Sequence, residues 1–339
     1  MNPQLESTLD DDLSSGGKSK GLADRLLALL LYSELATVSV FLVLLSTTVS
    51  IIAPRFLNVY NIATITRQMA FVGLASLGQM ICMIGGTIDL TVGANAGFAG
   101  IVASLIMTKT PVDPYLAMVI GVAVGAFIGL INGTLVTRLK LEPFIATLSM
   151  SFIIQGAILV VTRGWAILQL PQKILWLGQG TIGPIPVPTL FLLGCAALLS
   201  FLLTRTYIGR HIFAIGGNQE AAVLVGIRVA RLKTLLYVIS GSLSALSGVL
   251  MAARLASGQP TIGQTWLLPS FTAPVLGGAA RSGGVGSTLG TLLGSAIMGV
   301  IQNGVVLSGM SVYWENVVVG ATLVLAIFLD SLRTRARQR

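Results

Sequence analysis

The chain has 339 residues, of which 10% are charged and 54% hydrophobic, and its mean hydropathy is +0.88. A soluble domain carries about 25% charged residues, so the composition excludes an ordinary soluble domain and indicates an all-α polytopic membrane protein. The net charge of +9 does not point to nucleic acid: the basic residues sit in short segments between and after apolar runs, as membrane topology requires, and no basic helix interleaved with aromatics occurs.

Residues 1–25, MNPQLESTLDDDLSSGGKSKGLADR, are polar, acidic early and basic late. They lack the n-region and short apolar core of a cleavable signal peptide, and residues 1–33 are expected to form a disordered cytoplasmic tail. GGKSK, 16–20, only superficially matches a phosphate loop, because Asp12 stands where that motif needs glycine and no strand precedes it.

Apolar runs near the ~20 residues that span hydrocarbon follow near 34–53, 68–85, 89–108, 115–136 and 143–161. A second set lies near 188–204, 235–254, 265–280, 287–308 and 313–330. Pro269 and Pro274 make the eighth span the least regular. The transmembrane domain is thus expected over 34–330, with a basic cytoplasmic tail at 331–339.

Ten crossings place both termini on one side. With the N terminus inside, the inner segments hold 15 of the 21 Lys and Arg residues, from Lys18 through Arg138, Lys140, Arg205, Arg210, Arg228, Arg231, Lys233 and Arg281 to Arg339. The outer side keeps 6: Arg55, Arg67, Lys109, Arg163, Lys173 and Arg254. The positive-inside rule therefore predicts both termini in the cytoplasm. Spans 1–5 and 6–10 each contain an odd number of crossings, the arithmetic of an inverted repeat, common in transporters. The longest outer loop, 162–187, carries Trp165 and Trp176, residues suited to an interfacial position. The longest inner loop is 205–234.

Cys82 and Cys195 fall in apolar spans, and His211 is the only histidine, so no metal cluster and no Cys/His nucleophile pair can be assembled. The best polar candidate is GGTIDLTVGANAGFAG, 85–100, where Gly85, Gly86, Asp89, Thr91 and Asn95 lie at a break between two spans. Backbone freed at such a break can bind solute beside a wet cavity, or Thr87 or Asp89 can simply cap the next helix. Gln79, Gln155, Gln302 and Asn303 are further polar points; each can hydrogen-bond a sugar hydroxyl or bridge neighbouring helices. The glycines of 275–300, with Gly290 and Gly294 in small-xxx-small spacing, suit close helix packing or a hinge.

The inner loop contains AIGGNQEAAVLVGI, 214–227, a small polar patch bounded by Gly216, Gly217 and Gly226. Asn218, Glu220, Ala221 and Ala222 head a short helix: Glu220 favours its N-terminus, the alanines permit close seating, and Gly226 can end it with positive φ. On spacing alone this is a docking helix or an ordinary connection. EAAVLVG resembles the E-A-A…G motif of ABC importer permeases. Residues 209–241, GGTIDLTVGA, EPFIATLSM at 142–150, VLGGAARSGGVGSTLGTLLG at 275–294 and SVYWENVVVGATLVLAI at 311–327 resemble, in order, the ribose-type monosaccharide permeases. Thr91 stands where serine is common in that family, Glu142 where an apolar or proline residue is usual, and Ala279-Ala280-Arg281 where uncharged hydroxyl residues are frequent.

The resemblance implies a non-catalytic permease subunit in a bacterial inner membrane, with the fold of larger-class importers such as the vitamin B12 permease. It implies a second permease copy or sister permease, a periplasmic sugar-binding protein, and a separate ATPase that binds ATP and Mg and docks on the Glu220–Gly226 helix; no cofactor is expected on this chain. The solute class it implies is a monosaccharide. Branched-chain amino acids, nucleosides or an autoinducer-type sugar are alternatives, as is an ion-coupled secondary transporter, although Asp89 and Arg67 alone approach the buried ionisable relays such carriers use.

Overall fold

The structure, a computed structural model, describes residues 34–311 and 313–337. The tail expected at 1–33 lies outside them. Thirteen α-helices make up the described chain: α1 (Glu34–Ile52), α2 (Val59–Ile84), α3 (Val92–Lys109), α4 (Pro114–Thr137), α5 (Pro143–Thr162), α6 (Gln172–Gln179), α7 (Val187–Arg205), α8 (Tyr207–Gly217), α9 (Gln219–Leu224), α10 (Val229–Leu255), α11 (Leu267–Leu276), α12 (Thr288–Leu307) and α13 (Trp314–Arg337). A two-residue hairpin, β1 (Thr181–Ile182) against β2 (Ile185–Pro186), follows α6.

Eight helices are long and apolar enough to cross a membrane: α1, α2, α3, α4, α5, α7, α10 and α12. Their burial sorts them into two shells. The most apolar windows of α2, α10, α12 and α3 are 83%, 67%, 67% and 61% buried, against 11–39% for α1, α5, α4 and α7. The outer helices turn large apolar side chains such as Val43, Phe127, Phe152, Val160 and Phe201 outward, as a surface facing hydrocarbon requires.

Several boundaries differ from expectation. Helix α2 starts at Val59, well before 68, because Asn58 caps it by accepting from Tyr60 N, and because its first turns are polar enough to escape a hydropathy scan. The span expected at 265–280 is a helix of ten residues, about 15 Å long, half a hydrocarbon core. Gly277 and Gly278 stop it, their amides bonding back to Ala273 O and Val275 O. Residues 331–337, expected as a tail, continue α13. The two long loops are also built up: 162–187 contains α6 and the hairpin, and 205–234 contains α8, α9 and the start of α10.

The close packing of the inner shell comes from small residues. Gly121, Gly125, Gly129 and Gly133 line one face of α4 and meet α10 and α3. A Cβ at Gly125 would lie 2.2 Å from Ala245 Cβ, and one at Gly129 2.1 Å from Tyr237 O. From the α10 side, a Cβ at Gly248 would lie 1.8 Å from Ala96 O on α3. Backbones in this register approach within dispersion contact, which is what drives helix association where no water remains to be released. Around this seam lies one large apolar core that includes Phe71, Leu74, Ile81, Leu236 and Val249.

Substituting Gly129→Val is expected to force α4 from α10 at a cost of about 1–3 kcal/mol, seen as a lower unfolding midpoint of the purified protein in detergent. Gly156→Ala on α5, where a new Cβ meets nothing within 4 Å, should leave the midpoint unchanged or raise it by up to about 1 kcal/mol.

Candidate functional site

The polar motif at the α2–α3 break folds inward on itself. Asp89, Thr91, Asn95, Asn132 and Ser240 are each at most 0% exposed. Asp89 Oδ1 accepts from the backbone N and the hydroxyl of Thr91, and its Oδ2 accepts from Ser240 on α10 at 2.8 Å. Thr91 Oγ1 in turn accepts from Asn132 of α4 at 2.9 Å. Asn95 donates to Gly125 O and Gly241 O, both at 3.2 Å. One buried carboxylate therefore organises the first turn of α3 and ties it to α4 and α10. Buried polar groups are mostly paired; here the carboxylate oxygens and the amide donors are, while Asn95 Oδ1 and Asn132 Oδ1 have no partner among the described residues.

Next to this cluster the chain turns sharply. Gly85 is buried and bonds back to Ile81 O, and Gly86 takes φ +67. The end of α8 lies against this turn: a Cβ on Gly216 would sit 1.8 Å from Ile84 O and 2.4 Å from Gly284 N. Gly284 N itself donates to Ile84 O at 2.9 Å. Three separate stretches, 84–86, 216–217 and 283–284, thus meet backbone to backbone, and side chains at Gly216 or Gly284 would prevent it.

From this contact α8 leads into α9 through Gly217 and Asn218. Asn218 caps α9 by accepting from Ala221 N at 3.0 Å, and Lys233 Nζ donates to Gln219 Oε1 at 2.7 Å. Ala222 is buried against the body, whereas Glu220, Ala221, Val223, Leu224 and Val225 are exposed, Leu224 by 87%. Gly226 ends the helix at φ +84. Arg281 is exposed on the neighbouring 277–287 turn. Glu142, the unusual residue before Pro143, caps α5 by accepting from Ile145 N at 2.9 Å.

Two cavities lie away from α9, the smaller against the first turn of α3 and the larger near the end of α10. The smaller, about 40 Å³, is lined by Ala94, Gln155, Ile158, Leu159, Pro260, Ile262 and Gln264. The larger, about 170 Å³, lies among α2, α10, the 256–266 loop, α12 and α13, and its polar wall includes Gln68, Arg254, Thr265, Gln302 and Glu315. Phe71, Val72 and Trp266 form its buried apolar side.

Of the polar points singled out in the sequence, Gln155 lines the smaller cavity and Gln302 the larger; Gly85 and Gly86 lie against Leu236 and Gly216, and Asp89, Thr91 and Asn95 are sealed among α3, α4 and α10. Asn303 exchanges amide hydrogen bonds with Asn61 of α2 at 2.8 and 2.9 Å, a helix bridge. Gln302 both bridges, donating to Glu315 at 2.7 Å, and lines the larger cavity. Gln68, Arg254, Thr265, Trp266 and Glu315 carry no motif and come from three helices and one loop, so no sequence signal marks them as a common site. Among the described residues no group of three or more His, Cys, Asp or Glu could hold a metal ion.

A bundle of apolar helices with a polar cavity lying away from an exposed short helix has the build of a membrane permease. The sequence profile of the family described as branched-chain amino acid transport system, permease component, matches residues 61–327, and the chain belongs to that family. It is 41% identical to the ribose import permease RbsC of Bacillus subtilis over 83% of this chain and 88% of that protein. It is 34% identical to the ribose import permease RbsC of Escherichia coli K12 over 86% and 91%. With the L-arabinose ABC transporter permease AraH of Azospirillum brasilense it shares 31% identity over 100% and 98%. No solved structure matches the chain.

Replacing Asp89 by alanine strands the Ser240 and Thr91 donors in the core, each a loss of about 1–3 kcal/mol. The expected result is a clearly lower unfolding midpoint in detergent, accompanied by loss of transport. Transport loss with an unchanged midpoint would instead make Asp89 a relay for a coupling ion.

Proposed function

We propose that this chain is the transmembrane permease subunit of an ATP-driven ABC importer that moves a monosaccharide, or a similar neutral polyhydroxylated solute, into the cytoplasm of a bacterium. The solute class rests on likeness along nearly the whole chain to permeases named for ribose and arabinose, and to others named for fructose and D-allose. The observation that carries the ATP-driven reading is α9. An apolar Val223-Leu224-Val225 edge stands exposed beside Glu220 on a capped, anchored helix, and a soluble surface leaves such an edge uncovered chiefly where a partner seats.

The partner on α9 is the ATPase subunit, which holds ATP and Mg; this chain binds no cofactor and catalyses nothing itself. A periplasmic sugar-binding protein delivers solute to the other face, and a second permease copy or a sister permease completes the pathway. The distribution of basic residues orients α8 and α9 toward the cytoplasm together with both termini. Helices α11 and α13 complete ten crossings, α11 with the help of the 256–266 segment, in a fold of the larger-class, vitamin B12 permease type. In this arrangement, movement of α9 by the ATPase passes through the Gly216 contact to the ends of α2 and α12.

The test is co-purification of the permease with its ATPase, comparing wild type with Glu220→Lys and Gly226→Trp. Wild type should retain the ATPase, and both variants should lose it, or lose coupled hydrolysis, while still inserting in the membrane. A wild-type chain that binds no ATPase and moves solute into vesicles without ATP would sink the proposal.

A further inference from the structure

We infer that the larger cavity, away from α9 and near the end of α10, is a binding station within the permease for one neutral monosaccharide ring. Its lining comes from four helices and one loop. Gln68 lies on the third turn of α2, Arg254 at the end of α10, Gln302 near the end of α12 and Glu315 at the start of α13, with Thr265 and Trp266 supplied by the loop that precedes α11. From Gln68 to the Gly85 turn, α2 rises roughly 25 Å, so the station and the Gly216 contact lie well apart along one helix.

Size admits a single ring. A water needs about 10–15 Å³ of such space, so the smaller cavity, at about 40 Å³, holds a few waters and no sugar. The larger, at about 170 Å³, has several times that room, but an oligosaccharide would not fit within it.

The lining selects chemistry. Trp266, 7% exposed, provides flat apolar surface, which suits the C–H face of a sugar ring, and Phe71, fully buried behind it, supports the Arg254 guanidinium. Around them stand groups that bond hydroxyls in both senses. Gln68 lines the wall, and its Oε1 has no partner among the described residues. Arg254 is half-buried, with its guanidinium 5.5 Å from the Phe71 ring centroid, leaving N–H donors for a ligand. Glu315 accepts from Gln302 and keeps further acceptor capacity. Both charge signs are present in one wall, so a net anion or cation is attracted by one and repelled by the other, while a neutral polyol uses both as hydrogen-bond partners. Thr265 is exposed at the rim and marks where solute enters.

This inference rests on the importer reading for its ligand, and the experiment separates the two. In the Cys195→Ser background, which leaves only the buried Cys82, Thr265→Cys places a single reactive thiol at the rim. Maleimide labelling of the full complex of permease, ATPase and binding protein is timed with and without D-ribose, L-arabinose, D-fructose or D-allose, and with gluconate as the anionic probe. Protection by at least one neutral sugar, and none by gluconate, is the expected result. Absence of protection by every neutral sugar, or protection by gluconate alone, overturns the inference.

ATP-dependent uptake by the same complex in proteoliposomes is the second measurement. Gln68→Leu and Gln302→Leu should each raise the half-saturating sugar concentration about tenfold, the effect of one lost hydrogen bond of about 1.4 kcal/mol; a purely structural role would lower the amount of inserted protein and leave that concentration unmoved. Uptake that needs ATP while labelling is unprotected leaves the importer and removes the station. Protection with uptake that needs no ATP leaves the station and removes the ATP-driven reading.

Discussion

Helix α10 can lie backbone against backbone on α3 and α4 because no side chain stands between them. Gly241 and Gly125 face each other, Gly129 faces the carbonyl of Tyr237, and Gly248 faces that of Ala96. In hydrocarbon there is no hydrophobic force between apolar helices, so dispersion at short range and a few interhelical hydrogen bonds must hold them together. The seam supplies both. It brings Ser240 to Asp89, Gly241 O to Asn95, and Ser247 to Phe71 O, the last at 2.7 Å. The buried carboxylate, the register of α3 and the aromatic wall of the larger cavity are all set from this one helix.

That dependence explains why the polar residues of the 85–95 motif are sealed. A carboxylate deep in the bundle is costly unless its oxygens are paired, and Thr91 and Ser240 pair them. The glycines beside it serve a different end, the convergence of 84–86, 216–217 and 283–284. Such contacts are stiff: each removes the space a side chain would use to absorb a displacement. They join the end of α8 to the end of α2 and to the 283–284 turn that precedes α12, the two helices that also carry Gln68 and Gln302.

Much of the bundle is legible in the residues. Apolar runs locate the eight helices long enough to cross a membrane among the described residues, since the need to satisfy backbone polar groups in lipid leaves helices as the only choice. Gly226 as a helix stop follows from its place after an alanine-rich turn, and its φ of +84 agrees. Other features are hidden by the same scan. The start of α2 is polar, the 265–280 segment is apolar throughout yet only ten residues of it are helical, and hydropathy does not register the amphipathic α6 or the spacing of Gly121, Gly125, Gly129 and Gly133 as structure.

The sequence by itself determined the class of molecule, the helical nature of its apolar runs and the local build of the α9 helix, because these depend on composition and on contacts between near neighbours. Only the tertiary structure decided which polar residues share a space. Asp89 and Asn303, conspicuous in their apolar runs, hold helices together, while Gln68, Arg254, Trp266, Gln302 and Glu315 converge from four helices and a loop. Local pattern cannot register that convergence, since it is fixed by how closely α2 approaches α10 and α12, through Gly78 against Ser240 and Gly299 against Met69.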